Sequence, residues 1–417
     1  MKPFASLGLS PALVRAASER GYALPTAIQV AAIPAALAGS DVLGSAQTGS
    51  GKTAAFALPI LQQLESVARA APRRTHALIL VPTRELAAQV GESIRGLAQH
   101  LAEPVKVAIV FGGVSINPQM MGLRGGAEVV VATPGRLLDL IDHNALILAG
   151  VAVLVLDEAD RLLDAGFADE LARVLAMLPR LRQNLLFSAT FPPAVQALAQ
   201  GLLHDPIRVD VPPEPSTEPA VAQHAVEVDA ARRTPLLRHL IQKGGWTRVL
   251  VFVATKYASE HVADKLRKSG IEAAAFHGDL SQGARTKALA DFKAGRLQVV
   301  VATDVAARGI DIAQLPVVVN YDLPRSAVDY VHRIGRTARA GASGLAVSFI
   351  SADTEAHFRL FEKRQGRRVM RERIAGFEPA ESIAPVASSG GIKGKRKSKK
   401  DKLREAAARG ELTSTIT

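Results

Sequence analysis

One pattern recurs along most of this chain: a short apolar run rich in β-branched residues ends in polar residues, and a segment with helical periodicity follows. Such alternation is typical of parallel sheets whose strands are connected by helices. We therefore predict an α/β fold with parallel sheets. The candidate strands are His76 to Val81, Val105 to Phe111, Glu128 to Val131, Val151 to Leu156, Asn184 to Phe187, Arg248 to Val253, Gln298 to Val301, Val317 to Asn320 and Leu345 to Ile350.

A proline-rich segment separates the first five candidate strands from the last four. It runs from Val211 to Pro219 and contains four prolines in nine residues. Proline can neither continue a helix nor donate to a sheet ladder, and a chain of 417 residues is too long for one ordinary core. We predict one domain over 1–210 and a second over 220–380, joined by an extended linker at 211–219.

Positive charge is concentrated in the last part of the chain. The formal net charge is +12, of which residues 363–417 contribute +9 from 15 Lys and Arg against 6 Asp and Glu. The densest stretch, Lys393 to Lys400, has too little apolar content to form a core, so we predict a basic disordered tail over 381–417. Polyanion binding is one role for such a tail, and simple solubilisation is the other.

The composition excludes several classes of protein. No apolar run approaches the ~18 residues that a membrane span needs, and no signal-type apolar stretch follows residues 1–9. The chain has no cysteine, which excludes disulfides, thiolate zinc sites and thiol redox chemistry. We expect a cytoplasmic protein without a membrane partner.

Two segments about a hundred residues apart predict a site for a nucleoside triphosphate. Ala46 to Thr53 is a glycine-rich turn entering a helix, which presents backbone N–H groups to phosphates, while Lys52 adds a cation and Thr53 a hydroxyl for Mg²⁺. Asp157 and Glu158 end an apolar run and can complete the metal side. Taken singly, the glycine-rich segment can be a chance match to the motif, and the two acids can belong to a solvated turn. Their combination in one chain favours the nucleotide site.

Polar residues follow several other candidate strands. Ligands of open α/β sheets bind beyond the carboxyl ends of the strands. Taken singly, any of these segments can be an ordinary loop or a helix cap, and for most of them the helix cap is the better explanation. Their number on one edge predicts a shared ligand surface. The segments are Pro82 to Ala87, Gly112-Gly113, Thr133 to Arg136, Ser188-Ala189-Thr190, His277-Gly278-Asp279 and Thr303 to Asp311.

With these motifs the chain resembles bacterial DEAD-box RNA helicases over about residues 4 to 350. Asp157-Glu158-Ala159-Asp160 matches the motif from which that family takes its name. Phe4 with Gly21 to Gln29 resembles the Q motif of that family, and Ala46 to Thr53 resembles its phosphate loop, where alanine is normal at the first position. Tyr330 to Arg339 resembles its last motif, in which many relatives have glycine at the position of Ala338. The core with its short basic tail most resembles the RhlE-like branch.

The resemblance implies two tandem RecA-like domains with ATP and Mg²⁺ in the cleft between them. Lys52 is then expected to hold the β- and γ-phosphates, Thr53 and Asp157 to organise Mg²⁺, and Glu158 to orient or deprotonate the attacking water. Gln29 can pair with adenine through its amide, which favours ATP over GTP. The full set of expected nucleotide contacts is Phe4, Tyr22, Gln29, Ala46, Thr48, Gly49, Ser50, Gly51, Lys52, Thr53 and Asp311.

The second domain is expected to supply arginine fingers. Arg336 and Arg339 fit those positions, and a planar, permanently charged guanidinium suits the spread charge of a phosphoryl transition state. The alternative is a basic helix start that contacts solvent or RNA. The family further implies that Asp160, Ser188, Thr190 and His332 couple hydrolysis to strand separation.

RNA is expected to lie across both domains. Glycines, threonines and arginines at these positions allow close backbone approach and phosphate hydrogen bonds, which position a strand without reading its sequence. Aromatic residues are only 4% of the chain, so no extended stacking platform for bases is predicted. The expected contacts are Pro82, Thr83, Arg84, Gly112, Gly113, Thr133, Arg136, Gln282, Arg285, Thr303 and Gly309.

The function implied is RNA-stimulated ATP hydrolysis coupled to local unwinding of short duplexes or to remodelling of RNA–protein assemblies. Ribosomal precursors and RNA-decay assemblies are the expected partners, and cold adaptation is a third role. Two alternatives stay open at this point: an ATP-gated RNA clamp or annealing chaperone, and a DNA helicase of related architecture.

Overall fold

The computed structural model describes residues 3–46, 49–68, 70–211, 221–307, 315–337 and 344–380. Within these ranges the strands are β1 (Val42–Ser45), β2 (Ala77–Leu80), β3 (Val107–Val110), β4 (Val129–Ala132), β5 (Val153–Leu156), β6 (Gln183–Ser188), β7 (Ile207–Asp210), β8 (Val221–Glu227), β9 (Val249–Val253), β10 (Ala273–Phe276), β11 (Val299–Thr303), β12 (Val317–Asn320), β13 (Gly344–Ile350) and β14 (Arg371–Glu372).

The helices of the described residues connect these strands. They are α1 (Pro11–Glu19), α2 (Ala27–Leu37), α3 (Lys52–Ser66), α4 (Arg84–Leu97), α5 (Asn117–Gly122), α6 (Pro134–Asp142), α7 (Ala159–Asp164), α8 (Ala168–Met177), α9 (Pro193–Leu202), α10 (Arg233–Gly244), α11 (Lys256–Arg267), α12 (Gln282–Lys293), α13 (Asp304–Ala307), α14 (Ala327–Ile334) and α15 (Ala352–Gln365), with short 3-10 helices at Phe4–Leu7 and Ala230–Arg232. None of the helices described here is long and apolar enough to cross a bilayer.

The strands form two seven-stranded sheets with the same topology. The first has the order β3-β4-β2-β5-β6-β1-β7 and the second β10-β11-β9-β12-β13-β8-β14. Counted from the first strand of each sheet, both orders read 3-4-2-5-6-1-7, and every pairing is parallel. The predicted α/β class with parallel sheets is therefore confirmed, and the carboxyl ends of all strands in a sheet lie along one edge.

The central strands of the first sheet are buried on both faces. Ile79, Val131 and Val155 lie in the core on one face, while their neighbours Leu78 and Leu154 lie in the core on the other. Successive side chains of a strand point to opposite faces, so a strand covered by helices on both sides reads as a continuous apolar run. This is why these strands could be recognised from the sequence.

Several strands were not among the candidates. β1 contains Gly44, and a Cβ atom there would overlap the ring of Phe187, so the glycine that packing requires hides the strand signal. β7 is an edge strand with one buried residue in four. β8 includes the polar pair Gln223 and His224, β10 begins with three alanines, and β14 has only two residues. None of these has the β-branched run used to find the others.

Polar residues at the carboxyl edges begin the following helices. The Thr83 hydroxyl accepts a hydrogen bond from Leu86 N at the start of α4, and the Thr255 hydroxyl accepts one from Ala258 N in α11. Ser281 caps α12 in the same way. Such caps satisfy N–H groups that the helix itself leaves free. They fix where each helix starts, and so where the side chains of its first turn lie.

The described residues of both sheets belong to one compact unit within residues 1–380. The predicted domain boundaries at 210 and 220 stay predictions. Of the predicted linker at 211–219, only Val211 is described, and the predicted tail at 381–417 lies outside the described residues.

Candidate functional site

The glycine-rich loop lies between β1 and α3, at the carboxyl edge of the first sheet. Gly51 caps α3 with φ 94°, and a Cβ atom there would overlap the amide nitrogen of Gln29. A side chain at this position is therefore disfavoured by both backbone conformation and space. Lys52 is buried, and its ammonium donates to the carbonyl oxygen of Ala46 at 3.0 Å. The hydroxyl of Ser50 is buried and has no hydrogen-bond partner among the described residues. The described part of the loop thus holds a buried hydroxyl that the described residues leave without a hydrogen-bond partner.

Two acids follow β5 at the same edge of the sheet. Asp157 and Glu158 are only 2% and 4% exposed. Burial raises the pKa of Asp157 to about 6, although Lys52 opposes that shift. Glu158 has a left-handed backbone with φ 52°, a conformation that costs free energy in a residue other than glycine. Its carboxylate lies 3.4 Å from the guanidinium of Arg161. The two predicted metal-side acids are therefore buried next to the predicted phosphate loop.

Asp160 is hydrogen-bonded to the segment that follows β6. Its backbone N–H donates to the Ser188 hydroxyl at 3.2 Å, and its carboxylate accepts from both the backbone N–H and the hydroxyl of Thr190, at 3.0 and 2.7 Å. The Ser188 hydroxyl in turn donates to the Thr190 carbonyl at 2.7 Å. The structure thus brings together three of the four residues for which a coupling role is expected.

His332, the fourth of these residues, comes from α14 of the second sheet. It makes no hydrogen bond to Ser188 or Thr190 among the described residues, and it lines a cavity with Arg161, Phe252, Asp304, Ala307, Asp329, Arg333 and Arg336. Burial, with help from Arg161, lowers the pKa of His332, whereas Asp160 opposes that shift. The cavity therefore joins the helix of the acidic motif to the basic residues of the second sheet.

Arg333 holds this cavity wall in place. Its guanidinium forms a bidentate pair with Asp304, at 2.6 and 2.7 Å, and lies over the ring of Phe252 at 4.8 Å. It also donates to the side-chain oxygen of Asn320 at 3.0 Å. Such a fixed, bidentate arrangement orients the turn that follows α14. Arg336 is next in this turn and is buried, with 7% of its surface exposed.

The expected adenine contact, Gln29, is engaged within the protein. Its side-chain oxygen accepts from Thr26 N at 2.9 Å and its amide nitrogen donates to the Gly51 carbonyl at 3.0 Å. A glutamine amide has a second N–H and a second lone pair, so adenine can still be contacted. Tyr22 stacks on Phe4, with ring centroids 6.4 Å apart. The hydrogen bond to Gly51 connects Gln29 to the phosphate loop, whereas the contact between Tyr22 and Phe4 lies within the N-terminal segment.

The expected RNA contacts of the first sheet lie along its carboxyl edge. Thr133 accepts from Gly112 N at 3.4 Å, and Arg136 donates to the Val114 carbonyl at 2.7 Å while one of its buried nitrogens has no partner among the described residues. Gly113 has a φ of 75°, in the left-handed region that favours glycine, and the guanidinium of Arg84 lies beside it. Pro82 and Thr133 are buried, whereas Thr83 and Arg84 are half-buried.

On the second sheet, Arg285 and Gln282 make a contact that the sequence analysis missed. Arg285 is buried and forms an ion pair with Glu85 of α4 at 2.9 Å, and Gln282 donates to the same carboxylate at 3.4 Å. In this structure Arg285 and Gln282 therefore contact Glu85, which lies in the half of the protein that contains the first sheet. Thr303 is buried at the end of β11. Thr48, Gly309, Asp311 and Arg339 lie outside the described residues.

Glu85, Arg161 and Asp304 were given no individual role in the sequence analysis, although Glu85 and Asp304 lie within segments predicted to form the ligand surface. Each follows a motif residue directly or within one helical turn, so the signal was their position in the motif. Their burial and their ionic partners were not visible from the sequence, because these depend on which elements meet.

Comparison with known proteins places these motifs in one family. Residues 26–198 match the model described as DEAD/DEAH box helicase, and residues 232–341 match the helicase conserved C-terminal domain. The chain is 44% identical over 348 residues to the ATP-dependent RNA helicase DeaD of Mycobacterium tuberculosis, covering 84% of this chain and 61% of that protein. It is 41% identical over 413 residues to the ATP-dependent RNA helicase SrmB of Haemophilus influenzae, covering 97% and 92%.

A solved structure confirms the predicted pair of RecA-like domains. The protein resembles Dbp5 of S. cerevisiae, solved bound to RNA and ADP BeF3, with a TM-score of 0.79 and 31% identity over 91% of this chain and 96% of that one. The motifs, the two matched regions and the tandem sheets agree: the chain belongs to the DEAD-box helicase family.

Proposed function

We propose that the protein is an ATP-dependent RNA helicase in which RNA-stimulated ATP hydrolysis is coupled to local unwinding of short duplexes or to remodelling of RNA–protein assemblies. The observation that carries this proposal is the cavity shared by Arg161 of the acidic-motif helix and by His332, Arg333 and Arg336 of the second sheet. It brings a possible finger residue, Arg336, to the half of the protein that holds the phosphate loop. Hydrolysis can then depend on how the two halves meet.

ATP binding is assigned to the loop between β1 and α3. Lys52 has only a carbonyl oxygen as its hydrogen-bond partner, and Ser50 has a buried hydroxyl without one, so phosphate oxygens would satisfy groups that the described residues leave unsatisfied. The N–H groups at the start of α3 add to this cradle. Gln29 and Tyr22 are the proposed adenine contacts, and the hydrogen bond from Gln29 to Gly51 of this loop supports the role of Gln29.

The residues near Lys52 also fit Mg²⁺. Asp157 is a buried carboxylate whose raised pKa shows that its charge is poorly compensated, and a divalent cation would supply that compensation. Thr53 and Asp157 would hold the ion. An ion held by these residues would supply positive charge to neutralise the negative charge that develops during phosphoryl transfer.

Glu158 and the arginines are the groups proposed to act on the reaction. The Glu158 carboxylate would orient or accept a proton from the attacking water. Arg336, with Arg339, would stabilise the charge of the transferring phosphoryl group, an effect typically worth ~10³ to 10⁵ in rate. Since Arg336 belongs to the second sheet's half, catalysis requires both halves.

RNA is the proposed polymer, held mainly through its sugar-phosphate backbone. The support is the row of glycines, helix-cap threonines and arginines along the carboxyl edge of the first sheet, together with the RNA present in the Dbp5 structure. Contacts of this kind do not depend on sequence. A cytoplasmic location, action on ribosomal precursors or RNA-decay assemblies, and the RhlE-like branch stay predictions from the resemblance.

Steady-state ATP hydrolysis and unwinding of a short RNA duplex test the proposal. We expect RNA to stimulate phosphate release, DNA to do so less, and Glu158→Gln to abolish turnover while ATP still binds. The control is Glu92→Gln on an exposed face of α4, which should behave as the unmodified protein. ATP hydrolysis that is indifferent to RNA would contradict the proposal, and RNA binding without multiple-turnover unwinding would favour the clamp instead.

A further inference from the structure

Tyr257 stands apart from the other large aromatic residues of the protein. It is 76% exposed, whereas every other Phe, Tyr and Trp is buried or half-buried. The imidazole of His261 stacks on its ring, with centroids 5.6 Å apart and an interplanar angle of 14°. The two residues are four apart on α11, so they share one face of the helix. Together they form a flat aromatic surface that the fold itself does not cover.

The position of this aromatic pair continues the proposed RNA-binding edge. α11 begins directly after β9, and Lys256 at its start forms an ion pair with Asp279 at 2.5 Å. Asp279 lies in the loop that leads into α12, whose first residue, Gln282, contacts Glu85 of α4. Helical side chains lean toward the N-terminus of their helix. Tyr257 therefore leans toward the same edge that carries the contacts to Glu85.

The surroundings of the pair fit a base better than an apolar protein surface. Its neighbours Lys256 and Asp279 are exposed and charged, and exposed Glu260 is paired with His277 at 2.8 Å. The two acids are thus each held by a basic partner. A protein interface would require a contiguous apolar core, whereas a single nucleobase needs one aromatic face with a polar rim.

We propose that Tyr257 and His261 form a stacking platform for one unpaired base of the bound RNA. The proposal rests on the RNA binding proposed above and adds a base contact to a site otherwise held through phosphates. Stacking is tolerant of sequence because every base has a π-face. The low aromatic content of the chain concealed this platform, since it needs only two side chains at helical spacing.

A set of abasic RNAs tests the platform. The affinity of the full chain for a single-stranded RNA is measured with a non-hydrolysable ATP analogue, and the abasic site is moved along the strand one position at a time. We expect one position at which loss of the base weakens binding about 5- to 100-fold. In Tyr257→Ala that position should become insensitive, and Tyr257→Phe, which keeps the ring, should restore the original profile.

The controls separate this inference from the proposed function. Leu181→Ala changes a residue that is 95% exposed in the first sheet's half and should leave the abasic profile unchanged. Because Tyr257 is on the surface, Tyr257→Ala should unfold at the same temperature as the original protein. RNA that binds equally well at every abasic position, or an identical profile in Tyr257→Ala, would overturn the platform, whereas a protein that does not bind RNA at all would overturn the proposed function.

Discussion

Arg285 of α12 and Glu85 of α4 form an ion pair that joins the two sheet-containing halves of the protein. The Nη2 and Oε2 atoms are 2.9 Å apart, and both side chains are almost fully buried. The Arg285 guanidinium also lies over the ring of Phe276 at 4.9 Å, and burial lowers its pKa although Glu85 opposes that shift. The pair forms only when α4 and α12 are in contact, so it stabilises this arrangement of the two halves relative to a separated one.

The first prediction concerns that ion pair. Glu85→Gln leaves a buried guanidinium without its counter-charge, a costly state that separation of the halves would relieve. If ATP and RNA both stabilise the arrangement described here, each tightens binding of the other. We expect an ATP analogue to raise the RNA affinity of the original protein by about 5- to 150-fold, and to raise that of Glu85→Gln by less. RNA affinity with and without the analogue measures this gain.

Two variants make the test of the ion pair specific. Glu92→Gln lies on the same helix, but its partner Arg95 is exposed, so this variant should keep the full gain. The double change Glu85→Gln with Arg285→Gln removes both charges and should lose less than Glu85→Gln alone. Equal gains in the original protein and in Glu85→Gln would show that the pair does not stabilise the bound state.

The second prediction concerns the hydrogen bonds between Asp160 and the segment after β6. Thr190→Ala removes a hydroxyl donor from the Asp160 carboxylate, and Ser188→Ala leaves the Asp160 N–H without its acceptor. Loss of such a partner typically costs about 1–3 kcal/mol. We expect the combined change to lower duplex unwinding about tenfold or more, with RNA-stimulated ATP hydrolysis largely retained.

Thr190→Ser provides the matched control, because it keeps the hydroxyl that donates to Asp160. Its unwinding rate should therefore stay near that of the original protein. Unwinding and hydrolysis are measured on the same preparation and duplex. A parallel loss of both activities in the Ser188 and Thr190 variant would assign these residues to hydrolysis itself and refute the coupling role.

The third prediction concerns the stability of the second sheet's half in acid. Arg371 binds the buried carboxylates of Glu355 and Glu362 at 2.8 to 3.1 Å. Burial raises the pKa of each carboxyl, but hydrogen bonds from Arg371 outweigh it and hold both pKa values below the ordinary 4.5. The unfolded chain then binds more protons than the folded one. This stabilisation is complete above pH 4.5 and is lost as the pH falls through the lower, folded-state values.

Glu362→Gln tests this dependence. It should lower the free energy of unfolding by about 1.5–3 kcal/mol at neutral pH, the usual worth of hydrogen bonds to a charged group, and should reduce the slope of stability against pH below 4.5. Denaturant unfolding at a series of pH values measures both quantities. Exposed Glu92→Gln should retain the original slope, and a slope unchanged in Glu362→Gln would contradict the ionic role of this carboxylate.

The residue composition of each strand explains which strands could be predicted from the sequence. Strands such as β5 and β12 are covered on both faces, so their composition alone marks them. β1 was missed although the phosphate loop follows it, because close packing against Phe187 requires Gly44. A strand is recognised from the sequence when its buried residues are large and apolar. It is missed where close packing requires a small residue such as Gly44.

The residues of the site also differ in whether the sequence alone could predict them. Lys52 could be predicted from the glycine-rich motif, and Asp157 and Glu158 from the acidic motif, because each of these motifs is short and contiguous along the chain. The pairing of Arg285 with Glu85 was not, since the two residues are 200 positions apart and meet only through the tertiary arrangement. A motif thus shows which chemistry a residue can perform, whereas its partner in the folded state depends on contacts that no local pattern encodes.

The repeated strand order of the two sheets has a consequence for how the proposed activity would be controlled. Two copies of one scaffold can carry different functional groups. Here the first copy carries the glycine-rich loop and the buried acids, and the second carries the basic residues that line the cavity. Because both copies are parts of one polypeptide, their encounter is intramolecular and its effective concentration does not change when the protein is diluted. Under the proposed function, activity would be set by the orientation of the two copies, which a strand of RNA lying across both would control, and not by assembly of separate subunits.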